Sequence, residues 1–229
     1  KAQKKEYFKK LMEKKVTAIS FENMEDEDGI VPVVRSMSEI AGNTSILVAA
    51  EYLSNANNGK GFMLGGVSGV PPTEIVIIGA GTVGTYAART ALGLGANVKV
   101  FDRSLSKLRR LQNTLSNLPI YTCVIQPKIL EKALMRCDVA IGAIRSEGGR
   151  TPCVVTEDMV SKMKAGSVVV DVSIDQGGCF ETSELMSHDN PVFNKYDVVH
   201  YCVANIPSRV SRTASFSLSN ILGPVILSI

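Results

Sequence analysis

The sequence predicts an α/β fold, a doubly wound parallel sheet with the short remnant of a second domain, and three observations support this prediction. From Glu74 onward, near-continuous Val and Ile runs alternate with helical stretches, which is typical of parallel strands covered by helices on both faces. A glycine-rich turn, GAGTVG, directly follows the first of these runs. With 229 residues, 45% hydrophobic and 21% charged, the chain has an ordinary globular composition and can bury a core.

The residues before Glu74 are less regular. Four apolar side chains at helical spacing predict a helix over residues 5–14, namely Tyr7, Phe8, Leu11 and Met12. VTAISFE (16–22) is predicted to be a strand, and the acidic stretch 23–29 a loop. A long amphipathic helix is expected over 36–57, capped by Ser36 or Ser38. The glycines and prolines of 59–72 indicate a loop, with a short strand in FML (62–64).

The regular part begins with EIVIIGA. Its apolar runs predict strands at 74–80, 97–102, 120–124, 138–143, 167–173 and 197–204. The intervening stretches predict helices at 82–94, 104–116, 127–136 and 156–164. The last stretch is expected to form a helix that breaks near Pro224.

Charge and composition exclude several classes of protein. No apolar run approaches the roughly 18–20 residues that a bilayer span needs, and the charged start is unlike a signal peptide, so we expect no membrane partner and a cytoplasmic location. The net charge of +3 comes without a basic stripe or recognition motif, which argues against a nucleic-acid partner. The five cysteines form no CxxC pair and have no histidines at metal spacing, so we expect reduced thiols and no metal site.

The turn GAGTVG has the spacing of the Rossmann dinucleotide-binding fingerprint. Gly79 permits a tight turn, Gly81 lets a pyrophosphate approach the backbone, and Gly84 lets the helix lie close to the strand. Asp102 ends the second strand, where an acid can bind ribose hydroxyls and repel a 2′-phosphate. A Rossmann-type domain that prefers NAD is therefore predicted, although Arg103 is a residue that could bind a 2′-phosphate.

The segment SIDQGGCFE follows the buried strand at 167–173. Asp175 could orient water or move protons at a carbon being oxidised, with Gly177 and Gly178 leaving room for a flat ring. Alternatively, Asp175 caps a turn that the two glycines form. The residues alone leave both interpretations open.

Several motifs, taken together in this order, resemble alanine dehydrogenase and the family that it shares with the NAD-binding component of proton-translocating transhydrogenase. These motifs are MSEIAG (37–42), GKGFMLGGVSGV, IGAGTVG, VVVDVSIDQGGCFE and HYCVANIPS. IDQGG favours alanine dehydrogenase, because transhydrogenases carry a Gln-Asn pair where Asp175 and Gln176 stand.

The resemblance implies reversible oxidative deamination of L-alanine to pyruvate and ammonia with NAD, by a homo-oligomer that is a hexamer or a dimer. It makes Asp175 both the catalytic carboxylate and a cofactor contact, and places Asn205 near the nicotinamide. The other implied or predicted cofactor contacts are Ser38, Gly79, Gly81, Thr82, Val83, Gly84, Asp102, Lys107, Ile144, Arg145, Val172, Ser173, Ile174, Val203, Ala204 and Ile206.

The resemblance also divides the chain. Residues 1–36 would be a remnant of the substrate domain, 37–215 the NAD-binding domain with its linking helix, and 216–229 the start of a return helix. The family's catalytic histidine and its substrate-clamping arginine and lysine belong to an earlier domain, so this chain is expected to bind NAD without turnover.

The chain has two histidines, neither of which is interpreted as the family's catalytic histidine, and one acid that departs from the family's pattern. His188 is interpreted as a surface loop residue, and His200 as a packed core residue. Glu184 stands where family members can carry an arginine near the cofactor. The alternative functions are an NAD(H)-binding module of a transhydrogenase-like complex and a regulatory NAD sensor.

Overall fold

A computed structural model of the protein describes residues 5–116, 118–146 and 149–228. Contacts between Cα atoms divide the chain into two compact units. One unit joins Lys1–Ser36 to Ser215–Ile229, and the other is Met37–Ala214.

The first unit opens with helix α1, Lys5–Glu13, close to its predicted bounds. The predicted strand at 16–22 is wrong: residues 16–20 have no regular secondary structure, and a short 3-10 helix, Phe21–Asn23, follows them. Val16 and Ile19 are about half exposed, at 52% and 46%, and no described residue of this unit forms a strand that could pair with them. Without such a partner, β-branched residues cannot make the ladder that their propensity favours.

Helix α2, Pro32–Leu53, starts earlier and ends earlier than predicted. Pro32 suits the first turn of a helix, where its missing N–H group has no intrahelical acceptor to lose. The helix stops because the hydroxyl of Ser54 accepts from Ala56 N–H and starts a separate 3-10 helix, Asn55–Asn57. FML (62–64) forms no strand.

The second unit has a sheet in which, within the described residues, seven strands have the order β3-β2-β1-β4-β5-β7-β6. The strands are β1 Glu74–Ile78, β2 Asn97–Asp102, β3 Ile120–Val124, β4 Val139–Gly142, β5 Val168–Asp171, β6 Val192–Lys195 and β7 Val198–Tyr201. All neighbours pair in parallel except β6, which is antiparallel to β7. The predicted α/β fold is confirmed.

Helices connect the parallel strands and cover both faces of the sheet. They are α3 Thr82–Gly93, α4 Leu105–Thr114, α5 Pro127–Leu134 and α6 Glu157–Ser161. Alternate residues of β1 enter two separate apolar clusters: Ile75 and Ile77 pack on one face, whereas Val76 and Ile78 pack on the other. This two-sided burial explains why the strands read as continuous apolar runs.

Two features at the end of the chain differ from prediction. Strand β6 was not predicted; it pairs with β7 through a two-residue turn in which Tyr196 and Asp197 both have φ of 56°. Helix α7, Ser211–Leu227, continues through Pro224, so the predicted break is wrong. Pro224 is exposed, and water can therefore satisfy the carbonyl group that loses its partner.

No helix within the described ranges is both long enough and apolar enough to cross a bilayer.

Candidate functional site

The predicted site residues lie at the carboxyl ends of parallel strands. The GAGTVG turn follows β1, Asp102 ends β2, and Ile144, Val172 and Val203 follow β4, β5 and β7. Strand order reverses between β1 and β4, which is where ligands bind in open α/β sheets. A Cβ atom on Gly79 would overlap the Ala143 carbonyl oxygen, so the ends of β1 and β4 adjoin there.

The three glycines of the turn have different surroundings. Gly79 has φ of 116°, which favours glycine, and a Cβ on Gly84 would overlap the carbonyl oxygen of Gly79. The fold itself therefore requires both. Apart from its two chain neighbours, a Cβ on Gly81 would have no described protein atom within 4 Å. The missing side chain of Gly81 instead leaves open space at the start of α3.

The amino end of α3 can accept an anion. Gly81 is the N-cap residue and offers no side-chain acceptor to the first N–H groups of the helix. Thr82 and Val83, both half-buried, form that first turn. Unsatisfied N–H groups and the helix dipole favour a phosphate in such a position. These observations fit a dinucleotide whose pyrophosphate lies against Gly81.

Asp102 joins the glycine turn to the end of β2. Its Oδ2 atom accepts from Ala80 N–H at 2.7 Å, and its Oδ1 atom accepts from Ser104 N–H at 2.8 Å. Each carboxylate oxygen has a second lone pair, so the half-buried side chain can also accept ribose hydroxyls. Lys107 is exposed in the first turn of α4, and Arg103 is exposed beside Asp102.

The loops after β4 and β5 are held together by hydrogen bonds. The hydroxyl of Ser173 accepts from Ile144 N–H at 3.0 Å. The amide of Gln176 pairs twice with the backbone of Ser146: it accepts from Ser146 N–H at 3.1 Å and donates to the Ser146 carbonyl at 3.2 Å. Gln176 was not among the predicted site residues. Its position beside Asp175 in a glycine-rich turn was the available signal.

Asp175 lies in a 3-10 helix, Val172–Gln176, and its carboxylate accepts from Asn205 N–H at 3.1 Å. This bond brings IDQGG and CVANIPS together. Partial burial raises the pKa of Asp175, and the Asn205 bond opposes that shift. The cap of this 3-10 helix is Asp171, which accepts from Ser173 N–H, so Asp175 does not cap its own turn.

The remaining predicted contacts surround these groups. Ala204, Asn205 and Ile206 form the turn into a 3-10 helix, Ile206–Val210, and Asn205 is left-handed with φ of 55°. Val203 and Ile174 are buried, while Arg145 is exposed.

Ser38, on α2, lies one turn before Gly42. A Cβ on Gly42 would overlap the Val83 carbonyl oxygen, so α2 packs closely on the first turn of α3 at this point. Residues four apart share a helix face, which places Ser38 on the face that meets α3.

Neither histidine has a described hydrogen bond to a predicted site residue. The ring of His200 is fully buried, interacts with the Thr182 hydroxyl and the Val198 carbonyl, and stacks on Phe193. Burial lowers the pKa of His200. His188 is exposed and hydrogen-bonds Ser208. Both positions agree with the sequence interpretation.

The family model described as "Alanine dehydrogenase/PNT, C-terminal domain" matches residues 45–229. The chain belongs to this family. The alanine dehydrogenase of Methanococcus maripaludis is 43% identical over 222 residues, which cover 96% of this chain and 59% of that protein. The chain therefore spans well under two thirds of the length of this relative.

Solved structures give the same assignment. An L-alanine dehydrogenase superimposes with a TM-score of 0.92 at 39% identity, covering 98% of this chain and 62% of that one. A transhydrogenase from Sinorhizobium meliloti has a TM-score of 0.70 at 25% identity, covering 81% and 53%. The resemblance to alanine dehydrogenase is confirmed, and transhydrogenase is the weaker match.

Proposed function

We propose that this chain is the NAD-binding part of an L-alanine dehydrogenase, which converts L-alanine reversibly to pyruvate and ammonia. The main supporting observation is the convergence of the glycine turn, Asp102 and the IDQGG turn at the carboxyl edge of one sheet. Family membership and the 39% identity to an L-alanine dehydrogenase structure agree with it. A homo-oligomeric assembly, hexamer or dimer, and a cytoplasmic location belong to the same proposal.

In this proposal the pyrophosphate lies at the amino end of α3, with the backbone of Gly81, Thr82 and Val83 around it. Asp102 accepts the ribose hydroxyls and disfavours a 2′-phosphate, so NAD is preferred over NADP. Ser38, Lys107, Ile144 and Arg145 border the cofactor. The residues after β5 and β7 surround the nicotinamide.

NAD, when bound, supplies the acceptor for a hydride from the substrate carbon. Asp175 holds or moves protons near that carbon and orients water. Its raised pKa suits this role, because a proton-transfer group works best when its pKa approaches the working pH. Asn205 N–H keeps the carboxylate in place through its hydrogen bond.

Calorimetry of this chain with NAD, NADH and NADP tests the binding half of the proposal. We expect heat from NAD and NADH, and NADP binding at least about tenfold weaker, equivalent to about 1.4 kcal/mol. In the matched variant Asp102→Asn, the preference should shrink because the repelling charge is gone. Equal affinity for NADP in the unaltered chain would contradict the assigned role of Asp102.

Catalysis by this chain alone is not expected, since substrate clamping and water exclusion come from residues outside it in the proposed enzyme. The test is NADH formation with alanine. The isolated chain should form none, whereas the protein expressed from its complete open reading frame should form NADH. Alanine-dependent NADH formation by the isolated chain would refute this part.

The alternative is an NAD(H)-binding module of a transhydrogenase-like complex, which the TM-score of 0.70 to a transhydrogenase favours. The variant Asp175→Asn, made in the protein from the complete open reading frame, separates the two. A deaminating enzyme should lose most of its rate while retaining NAD affinity. A binding module would form no NADH with alanine in either protein, and its NAD affinity would be unchanged.

A further inference from the structure

A buried carboxylate lies directly behind the IDQGG turn. Asp171 is the last residue of β5 and is 1% exposed. Within the described residues, five donors bond its two oxygens: Ser173 N–H at 3.0 Å, Cys179 N–H at 2.8 Å, Phe180 N–H at 3.3 Å, the Ser183 hydroxyl at 2.7 Å and, more weakly, the Cys179 thiol at 3.8 Å. The Ser173 donor precedes Asp175 and the other four follow it. One side chain therefore joins the two ends of the segment that carries Asp175.

Two glycines leave the space that this carboxylate occupies. A Cβ on Gly142 would lie 2.5 Å from Oδ1, and a Cβ on Gly178 would lie 2.7 Å from Oδ2. Burying a carboxylate is unfavourable unless hydrogen bonds replace its water. Burial raises the pKa of Asp171, and the hydrogen bonds oppose that shift. The surroundings therefore match a carboxylate in both shape and polarity.

The geometry of Asp175 depends on this anchor. Asp175 belongs to a 3-10 helix of five residues, a type of helix whose hydrogen bonds are weaker than those of an α-helix. The turn bonds itself through Gly177 N–H to Ile174 and Gly178 N–H to Ser173. Its bonds to Ile144, Ser146 and Asn205 reach neighbouring loops. Asp171, at the end of β5, bonds the chain on both sides of Asp175 and so attaches the turn to the sheet.

We propose that Asp171 is a positioning residue for the reaction: it fixes the turn that presents Asp175 and acts only through that turn. This inference rests on the proposed function, in which Asp175 handles protons. Within the part of the chain that the structure describes, neither Asp102 nor the GAGTVG turn has a hydrogen bond to the Asp171 carboxylate. Loss of the anchor should therefore impair the chemical step more than cofactor binding.

A double-mutant cycle tests the proposal in the protein from the complete open reading frame. Asp171→Asn places an amide NH2 among N–H donors and should lower kcat for alanine at least about tenfold, whereas KM and the NAD dissociation constant should change severalfold at most, a smaller change that reflects the proposed cofactor contacts Val172 and Ser173. If Asp171 acts through Asp175, the double variant with Asp175→Asn should be no slower than Asp175→Asn alone. Unchanged kcat in Asp171→Asn, or losses that multiply in the double variant, would overturn the proposal.

Amide hydrogen exchange provides a readout that needs neither substrate nor NAD. In this chain, Asp171→Asn should speed exchange in residues 173–180 at least about tenfold and leave α4 unchanged. Asp138→Asn is the matched control. The Asp138 carboxylate accepts from Glu74 N–H and pairs with Lys164 at the amino ends of the strands, far along the sheet from Asp171. Two results would contradict a local anchor: faster exchange throughout the unit, or no acceleration of exchange in residues 173–180.

A milder variant covers the case in which Asp171→Asn does not fold. Ser183→Ala removes one donor and should lower kcat severalfold, without effect in the Asp175→Asn background; an unchanged kcat would count against the proposal. Failure of the proposed function has a different signature, because the unaltered full-length protein would then form no NADH with alanine. The exchange measurement would still decide whether Asp171 anchors the turn.

Discussion

At the scale of single residues, two glycines of GAGTVG are expected to have different roles: Gly84 is needed for stability and Gly81 for NAD binding. Gly84→Ala forces a Cβ onto the Gly79 carbonyl and should destabilise the protein by at least about 1–3 kcal/mol. Gly81→Ala meets open space at an ordinary φ of −79°, so its stability should be nearly unchanged. Its NAD affinity should nevertheless fall at least about tenfold, because the methyl group fills the pyrophosphate position.

Thermal unfolding and calorimetry of the two variants check this pair. Unchanged NAD affinity in Gly81→Ala would place the pyrophosphate elsewhere.

His200 should make stability depend on pH in a defined window. Its folded pKa is lowered from the usual 6.5 by burial, so protonation favours the unfolded chain. The contribution is fully present above pH 6.5 and is lost as pH falls from there through the lowered folded pKa, with a slope of at most about 1.4 kcal/mol per pH unit.

Urea unfolding between pH 7.5 and 5 measures this effect. His200→Gln should flatten the dependence, whereas His188→Gln, at an exposed position, should retain it. If both variants retain the slope, another group causes it.

At the scale of elements, the strands were predictable because Val and Ile runs record burial on both faces. Strand β6 was missed because its turn uses Tyr196 and Asp197 at positive φ, where Asn-Gly would have been the recognisable signal. The strand predicted at 16–22 failed for the opposite reason: its residues favour a strand, but no described residue of its unit forms a strand that could pair with it. A sequence pattern reports the local conformational preference of a segment, whereas strand pairing depends on residues far away in the sequence.

The same limit applies to the site. The GAGTVG turn and Asp102 were visible because their spacing is a known mechanical requirement of the fold. Asp171 and Gln176 were not predicted, since their roles depend on partners 8–30 residues away, such as Cys179 and Ser146. A buried acid at a strand end has no periodic signature.

Gln176 links the turn after β5 to the loop after β4, and removal of its side chain should loosen the loop after β4. Gln176→Ala deletes both hydrogen bonds to Ser146 and should cost about 1 kcal/mol of stability. NAD affinity should fall severalfold, because the loop with Ile144 and Arg145 is then less ordered. Amide exchange of Ser146 should rise, as hydrogen-exchange mass spectrometry or NMR can show.

Gln126→Ala is the matched control, since Gln126 makes no side-chain cap bond at the start of α5. An unchanged Ser146 exchange rate in Gln176→Ala would show that other contacts hold the loop.

At the scale of the whole molecule, every proposed cofactor contact lies in one compact unit, Met37–Ala214. A ligand that binds only the folded unit stabilises it by RT ln(1 + [L]/Kd), about 2.7 kcal/mol at a hundredfold excess over Kd. For a unit of this size, that corresponds to a rise in Tm of about 5–11 °C. NAD should therefore shift the thermal transition of the intact chain by this amount, and NADP at the same concentration should shift it less.

The Gly81→Ala variant distinguishes specific binding from a general effect of the ligand. Its Tm without ligand should match that of the unaltered chain, because no protein atom opposes the added methyl group. With NAD at the same concentration, the Tm of Gly81→Ala should rise less than that of the unaltered chain. The stabilisation lost should be at least about 1.4 kcal/mol, which matches the tenfold loss of affinity. An equal NAD shift in both proteins would mean that the cofactor stabilises the unit through some surface other than the amino end of α3.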